Sequence, residues 1–180
     1  QDKTCTIMEG GSFIEKINYP PVESYIPRRV LPYSKVNINE STVLEVCKRY
    51  NFVILLADAG TGKTVELNQL AYYLSQQDGY FPIRVNLNLY SGKDFSEFLP
   101  EQYITISSSQ IFWLLDGYDE IEKKHINEFK RTVIKYIEKN NQTHIIISSR
   151  NNFYKNADPN KDNGTLPNFN EYSICALDRK

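Results

Sequence analysis

Eight residues, Ala57-Asp58-Ala59-Gly60-Thr61-Gly62-Lys63-Thr64, have the types and spacing of a phosphate-binding loop. They join an apolar run, residues 52–56, to an amphipathic stretch that starts at Thr64. A loop leading from a strand into a helix start aims several backbone N–H groups at one point, and the helix dipole adds positive potential there. Gly60 and Gly62 let the backbone approach phosphate oxygens without side-chain obstruction. The Lys63 ammonium can reach β- and γ-phosphates, the Thr64 hydroxyl can ligate Mg²⁺, and Val65 completes the nucleotide-binding set. One departure from the G-x-x-x-x-G-K-S/T pattern is Ala57, which holds the first glycine position. Alanine fits there if the backbone does not need a positive φ.

Two further segments carry chemistry. Asp116-Gly117-Tyr118-Asp119-Glu120 follows the apolar run 111–115. A carboxylate fixed at a strand end is what Mg²⁺ coordination needs, directly or through a water, and Asp116 is assigned to it. Asp119 or Glu120 could polarise a water attacking a phosphoanhydride. The alternative for these two is a solvated acidic helix cap. Arg150 ends the run 144–149. If that strand lies between the loop strand and the acidic strand, the guanidinium stands beside a γ-phosphate, to sense it or to stabilise transition-state charge.

The elements that must hold these groups alternate. A helix is expected near residues 40–50, with Val43, Val46, Cys47 and Tyr50 on one face. The first strand, 52–56, is apolar throughout, as for a strand covered on both sides. After the loop, a helix carries Leu67, Leu70, Ala71 and Leu74 and ends near Gly79. A second strand at 81–87 alternates and contains Pro82, which fits a sheet edge. The third strand is 111–115, and a helix over 123–139 buries Ile126, Phe129, Val133 and Ile137. The fourth strand is 144–148 and ends at Ser149-Arg150, a polar loop covers 151–170, and a fifth strand lies within 171–177. The pattern predicts an α/β three-layer fold: a parallel five-stranded sheet in the order 5-1-4-3-2 with helices on both faces. Ligands of such sheets bind at the strand carboxyl ends, where all three chemical segments fall. Residues 1–39, punctuated by Pro20, Pro21, Pro27 and Pro32, read as an irregular approach segment packing on a core of residues 40–180.

Composition narrows the class. The 180 residues suit one domain, and a net charge of −1 offers no basic field for nucleic acid or an anionic membrane. No apolar run approaches the roughly 20 residues of a membrane span. With no signal-peptide core at the start, a cytoplasmic location is expected. The chain lacks an initiator Met and reads as a piece of something longer. Cys5, Cys47 and Cys175 are too scattered for a disulfide framework or a zinc site. His125 and His144 are isolated and read as structural. The sequons at Asn39, Asn141 and Asn163 read as chance matches.

With these residues in hand, the chain resembles the NACHT family, within the STAND class of signal-transducing P-loop NTPases. The resemblance rests on Ala57 before Gly62-Lys63-Thr64, on D-G-x-D-E at 116–120, and on Ser148-Ser149-Arg150 after an apolar strand. Tyr25-Ile26-Pro27 looks like the short motif that often precedes the domain. The resemblance implies ATP and ADP with Mg²⁺ as ligands, slow hydrolysis acting as a conformational switch, and a part in immunity or defence. It implies Asp116 at the metal, Asp119 or Glu120 at the water, Arg150 as a sensor, and the backbone of 25–27 near the adenine. Its implied partners are other domains of a parent protein, with oligomerisation through this domain. The helical lid and winged-helix domain of the family do not fit in this length. A ring-forming AAA-like remodelling ATPase core and a non-catalytic P-loop interaction module are the alternatives.

Overall fold

The structure is a computed structural model that describes residues 5–7, 13–33, 41–155 and 164–176. The sequons at Asn39 and Asn163 and much of the polar loop, 156–163, lie outside the described residues. In chain order the strands are β1 (Cys5–Ile7), β2 (Phe13–Glu15), β3 (Arg29–Pro32), β4 (Ser41–Thr42), β5 (Phe52–Ala57), β6 (Phe81–Asn86), β7 (Ile111–Asp116), β8 (His144–Arg150) and β9 (Asn170–Ile174). The helices are α1 (Val43–Arg49), α2 (Lys63–Ser75), α3 (Ile126–Lys139) and the short α4 (Asn151–Tyr154).

The main sheet takes seven strands in the order β4-β3-β9-β5-β8-β7-β6. β9, β5, β8, β7 and β6 run parallel to one another. β3 pairs antiparallel with both β9 and β4. The sheet is therefore mixed and seven-stranded, which corrects the expectation of a purely parallel, five-stranded one. The physical reason is the open edge of β9, whose backbone groups need partners. Residues 29–32 fill that edge: Tyr33 N–H donates to Glu171 C=O at 3.0 Å and Cys175 N–H to Arg29 C=O at 2.9 Å. The Arg28 guanidinium adds two bonds to Cys175 C=O, at 3.1 and 2.8 Å. With a proline just before the strand and another at its end, four residues carry no periodic signal. The segment expected to be irregular is thus partly sheet.

The opposite edge, β6, is covered by one side chain. Tyr19 Oη accepts from Arg84 N–H at 3.2 Å and donates to Pro82 C=O at 3.3 Å, taking the place of a neighbouring strand. Lys16 closes the end of α2, donating to Ser75 C=O at 3.4 Å and to Gln77 C=O.

Strand alternation sorts side chains into two cores. Val53, Leu55, Phe112, Leu114 and Ile146 face α1 and α2, meeting Val46, Cys47, Leu67, Leu70, Ala71 and Leu74. Ile54, Leu56, Trp113, Leu115, Ile145 and Ile147 face α3, meeting Ile126, Phe129 and Val133. Helix α1 starts in a reciprocal cap, Thr42 Oγ1 accepting from Glu45 N–H and Glu45 accepting from Thr42 N–H. None of the helices in the described residues is long and apolar enough to cross a membrane.

Candidate functional site

The loop after β5 is ordered by its own residues. Thr61 Oγ1 donates to Asp58 C=O at 2.7 Å. Asp58 Oδ1 accepts from Asn151 Nδ2 at 3.0 Å, tying the loop to the residue after β8. Gly60 and Gly62 take φ of +75° and +91°, and a Cβ at Gly60 would meet nothing within 4 Å. Glycine is needed there for conformation, not for space. Gly62 is the left-handed N-cap of α2, and Glu66 N–H donates to Gly62 C=O at 3.0 Å to begin the helix. Lys63 Nζ turns back to Ala57 C=O at 3.5 Å. Thr64 and Val65 are exposed on the first turn.

Parallel pairing brings the other segments to the same end of the sheet. Ala57 at the tip of β5 is the direct register partner of Arg150 at the tip of β8. Leu115 pairs with Ile147, so Asp116 stands beside Ser148. With β8 between them, β5 and β7 are two strand spacings apart, roughly 10 Å.

Asp116 is 6% exposed and both of its oxygens are engaged. Oδ1 accepts from Ser148 Oγ at 2.7 Å, and Ser148 Oγ accepts from Gly117 N–H at 2.9 Å. Oδ2 pairs with Arg84 Nη2 at 2.9 Å. Sequence reasoning missed Arg84 and the role of Ser148. A charged residue directly after the buried first half of an edge strand was the available signal for Arg84. For Ser148 there was none, since a serine before a strand end is commonplace.

The two remaining acids separate. Asp119 is held by Arg150 at two points: Oδ1 accepts the backbone N–H at 3.0 Å and Oδ2 the Nε at 2.9 Å. Its side chain is 6% exposed, against 48% for Arg150. Glu120 is exposed and folds over Gly117, where a Cβ would lie 3.0 Å from Glu120 Oε2. Gly117 has a φ of +83°, which permits this turn.

Cavities flank the loop. One of 390 Å³ opens beside Asp58, Ala59, Arg150, Asn151 and Lys155. Another, of 310 Å³, lies between Tyr25, Ile26 and Arg28 on one side and Gly60, Gly62, Val65 and Glu66 on the other. The segment 22–25 is pinned to α2 there: Val22 N–H donates to Gln69 Oε1 at 3.0 Å and Tyr25 Oη to Glu66 Oε2 at 2.8 Å. Burial pushes the Glu66 carboxyl above its ordinary range, against the lowering effect of the Tyr25 hydroxyl and Arg28. Burial, and then Glu66, push the Tyr25 hydroxyl up.

These residues fit a magnesium-bound nucleotide. The glycines leave the backbone open, a lysine and a hydroxyl stand at a helix start, and a buried carboxylate shares their end of the sheet. Among the described residues no cluster of three or more His, Cys, Asp and Glu could hold a metal by itself.

No curated protein matches the chain. Among solved structures, that of C. elegans PCH-2 is similar at 17% identity with a TM-score of 0.42, over 74% of this chain and 40% of that one. The chain thus corresponds to less than half of that protein's length. Residues 37–179 match the family described as novel STAND NTPase 3, and the chain belongs to that family of P-loop nucleoside triphosphatases.

Proposed function

We propose that this domain is the nucleotide-binding core of a regulatory ATPase, binding ATP or ADP with Mg²⁺ across the tips of β5, β8 and β7. One observation carries the reading: the parallel register sets the glycine loop, Asp116 and Arg150 at one end of the sheet. The amides of 60–65 and the Lys63 ammonium bind the phosphates. Lys63 gives up its weak contact with Ala57 C=O to do so. Magnesium, when bound, neutralises phosphate charge; Thr64 and Asp116 are the residues that would hold it. The nucleoside lies in the cavity walled by Tyr25, Ile26 and Val65, next to the α2 start.

Asp119 and Glu120 then divide the work. Both carboxylate oxygens of Asp119 are committed to Arg150, so Asp119 aims the guanidinium at the phosphate end. Glu120, exposed over Gly117, is the acid left to orient a water. The NACHT-like D-G-x-D-E and Ser-Ser-Arg segments support a finer reading: an ATP/ADP switch in a signalling or defence protein, acting through neighbouring domains or oligomerisation.

A second reading, nucleotide binding without turnover, is favoured by the engagement of both Asp116 oxygens by Arg84 and Ser148. Phosphate release with and without Mg²⁺ separates the two. The binding reading itself is tested by calorimetry with Mg-ATP on the wild-type domain and on Lys63→Ala. A charge-assisted contact of about 1.5–3 kcal/mol predicts a loss of affinity of about ten- to a hundredfold. Equal affinities would refute it.

A further inference from the structure

Resting on that nucleotide reading, we propose that Arg84 is a positioning residue: the counter-ion that Asp116 exchanges for the divalent cation of a bound nucleotide. Arg84 thereby sets how much cation the site needs.

Asp116 is a carboxylate whose side chain is 9% exposed, and a charge so enclosed needs a partner. Among the described residues its cationic partner is Arg84, on Oδ2, while the neutral Ser148 hydroxyl holds Oδ1. A divalent ion on Asp116 would sit within a few ångströms of the guanidinium, and like charges at that range repel strongly where water is scarce. One of the two must retreat. Arg84 is placed to do so. It stands on the edge strand β6 and its side chain is 27% exposed. Its contact with Asp116 is a single Nη2–Oδ2 bond and not a two-point fork. Its backbone stays fixed as it moves, because Arg84 N–H is held by Tyr19 Oη.

The contact therefore has two effects of opposite sign. It stabilises the metal-free domain and it weakens the first cation. A residue that merely oriented Asp116 would do the first and strengthen the second. Since one donor on one oxygen makes the contact, lysine can replace arginine here, which is not so at a fork.

The test uses MnCl₂ titrated into the domain at saturating ADP, with free Mn²⁺ read by electron paramagnetic resonance and the protein-free ADP titration subtracted because ADP itself binds Mn²⁺, for wild type, Arg84→Gln and Arg84→Lys. Arg84→Gln is expected to lower the Mn²⁺ half-saturation about fivefold or more, as removal of a nearby positive charge requires. Arg84→Lys should stay within about twofold of wild type, since it keeps the charge. Thermal melts in EDTA should show Arg84→Gln less stable than wild type, with Mn-ADP restoring more in the variant. An unchanged or weaker half-saturation in Arg84→Gln, with Arg84→Lys still folded, overturns the assignment. Absence of any ADP-dependent Mn²⁺ binding in wild type removes the nucleotide reading and the role of Arg84 together.

Discussion

Ser148 is the hinge of the acidic strand tip, and its removal should be costly out of proportion to its size. Its hydroxyl is fully buried, donates to Asp116 at 2.7 Å and accepts from Gly117 N–H at 2.9 Å. Ser148→Ala deletes one oxygen and strands two buried groups, an amide and one side of a carboxylate. A buried polar group left without a partner costs about 1–3 kcal/mol, with charged groups at the upper end. Arg84 still holds the other Asp116 oxygen, which limits the damage. The expected loss is about 2–4 kcal/mol in urea unfolding, or a fall in Tm of about 5–15 °C for a domain of this size. Ser149→Ala is the control. Ser149 is equally buried, but its hydroxyl reaches the Arg150 carbonyl at a long 3.4 Å. Its loss should stay below about 1 kcal/mol. If both variants lose the same amount, or Ser148→Ala loses less than about 1 kcal/mol at unchanged m-value, the bridge through Ser148 does not hold the tip together.

Gly117→Ala should destabilise the domain by about 1–2 kcal/mol, because the φ of +83° is a left-handed conformation that alanine resists. The added methyl meets the movable end of Glu120, so turnover should fall further than nucleotide affinity, while Gly117→Asn should be milder; equal stability of Ala and Gly would refute the backbone argument. His144 stacks on Phe112 at 4.0 Å, and burial holds its imidazole below its ordinary value of 6.5. The unfolded chain then binds this proton more readily, so stability is full above about pH 6.5 and declines as pH falls below it. Urea melts from pH 8 to 5 should show a shallower decline in His144→Gln than in wild type; identical slopes would exclude His144 as the cause.

Where local signals were strong, the sequence was readable. Continuous apolar runs marked β5, β7 and β8 because strands covered on both faces need apolar side chains in both directions. The stripe Leu67, Leu70, Ala71 and Leu74 marked α2, and all four residues are buried. Ile126, Phe129 and Val133 marked α3 in the same way, although its helix begins at Ile126 and a 3₁₀ turn precedes it. β3 and β4 were not readable. At four and two residues they are too short to show alternation; pairing with β9 makes β3 a strand, and pairing with β3 makes β4 one.

The site divides along the same line. Gly60, Gly62, Lys63 and Thr64 are neighbours in the chain, so the chemistry proposed for them can be read from order alone. The same holds for Asp116 as an acid at a strand end. What Asp116 touches is set by strands more than thirty residues away in either direction, Arg84 from β6 and Ser148 from β8. Asp119 and Glu120 are adjacent and similar in sequence, yet one is locked to Arg150 and the other is exposed. The chain order thus determined which groups could do chemistry. Which of them are already spoken for was decided by the sheet, because a carboxylate's partners depend on what lies within a few ångströms and not on what lies next in line.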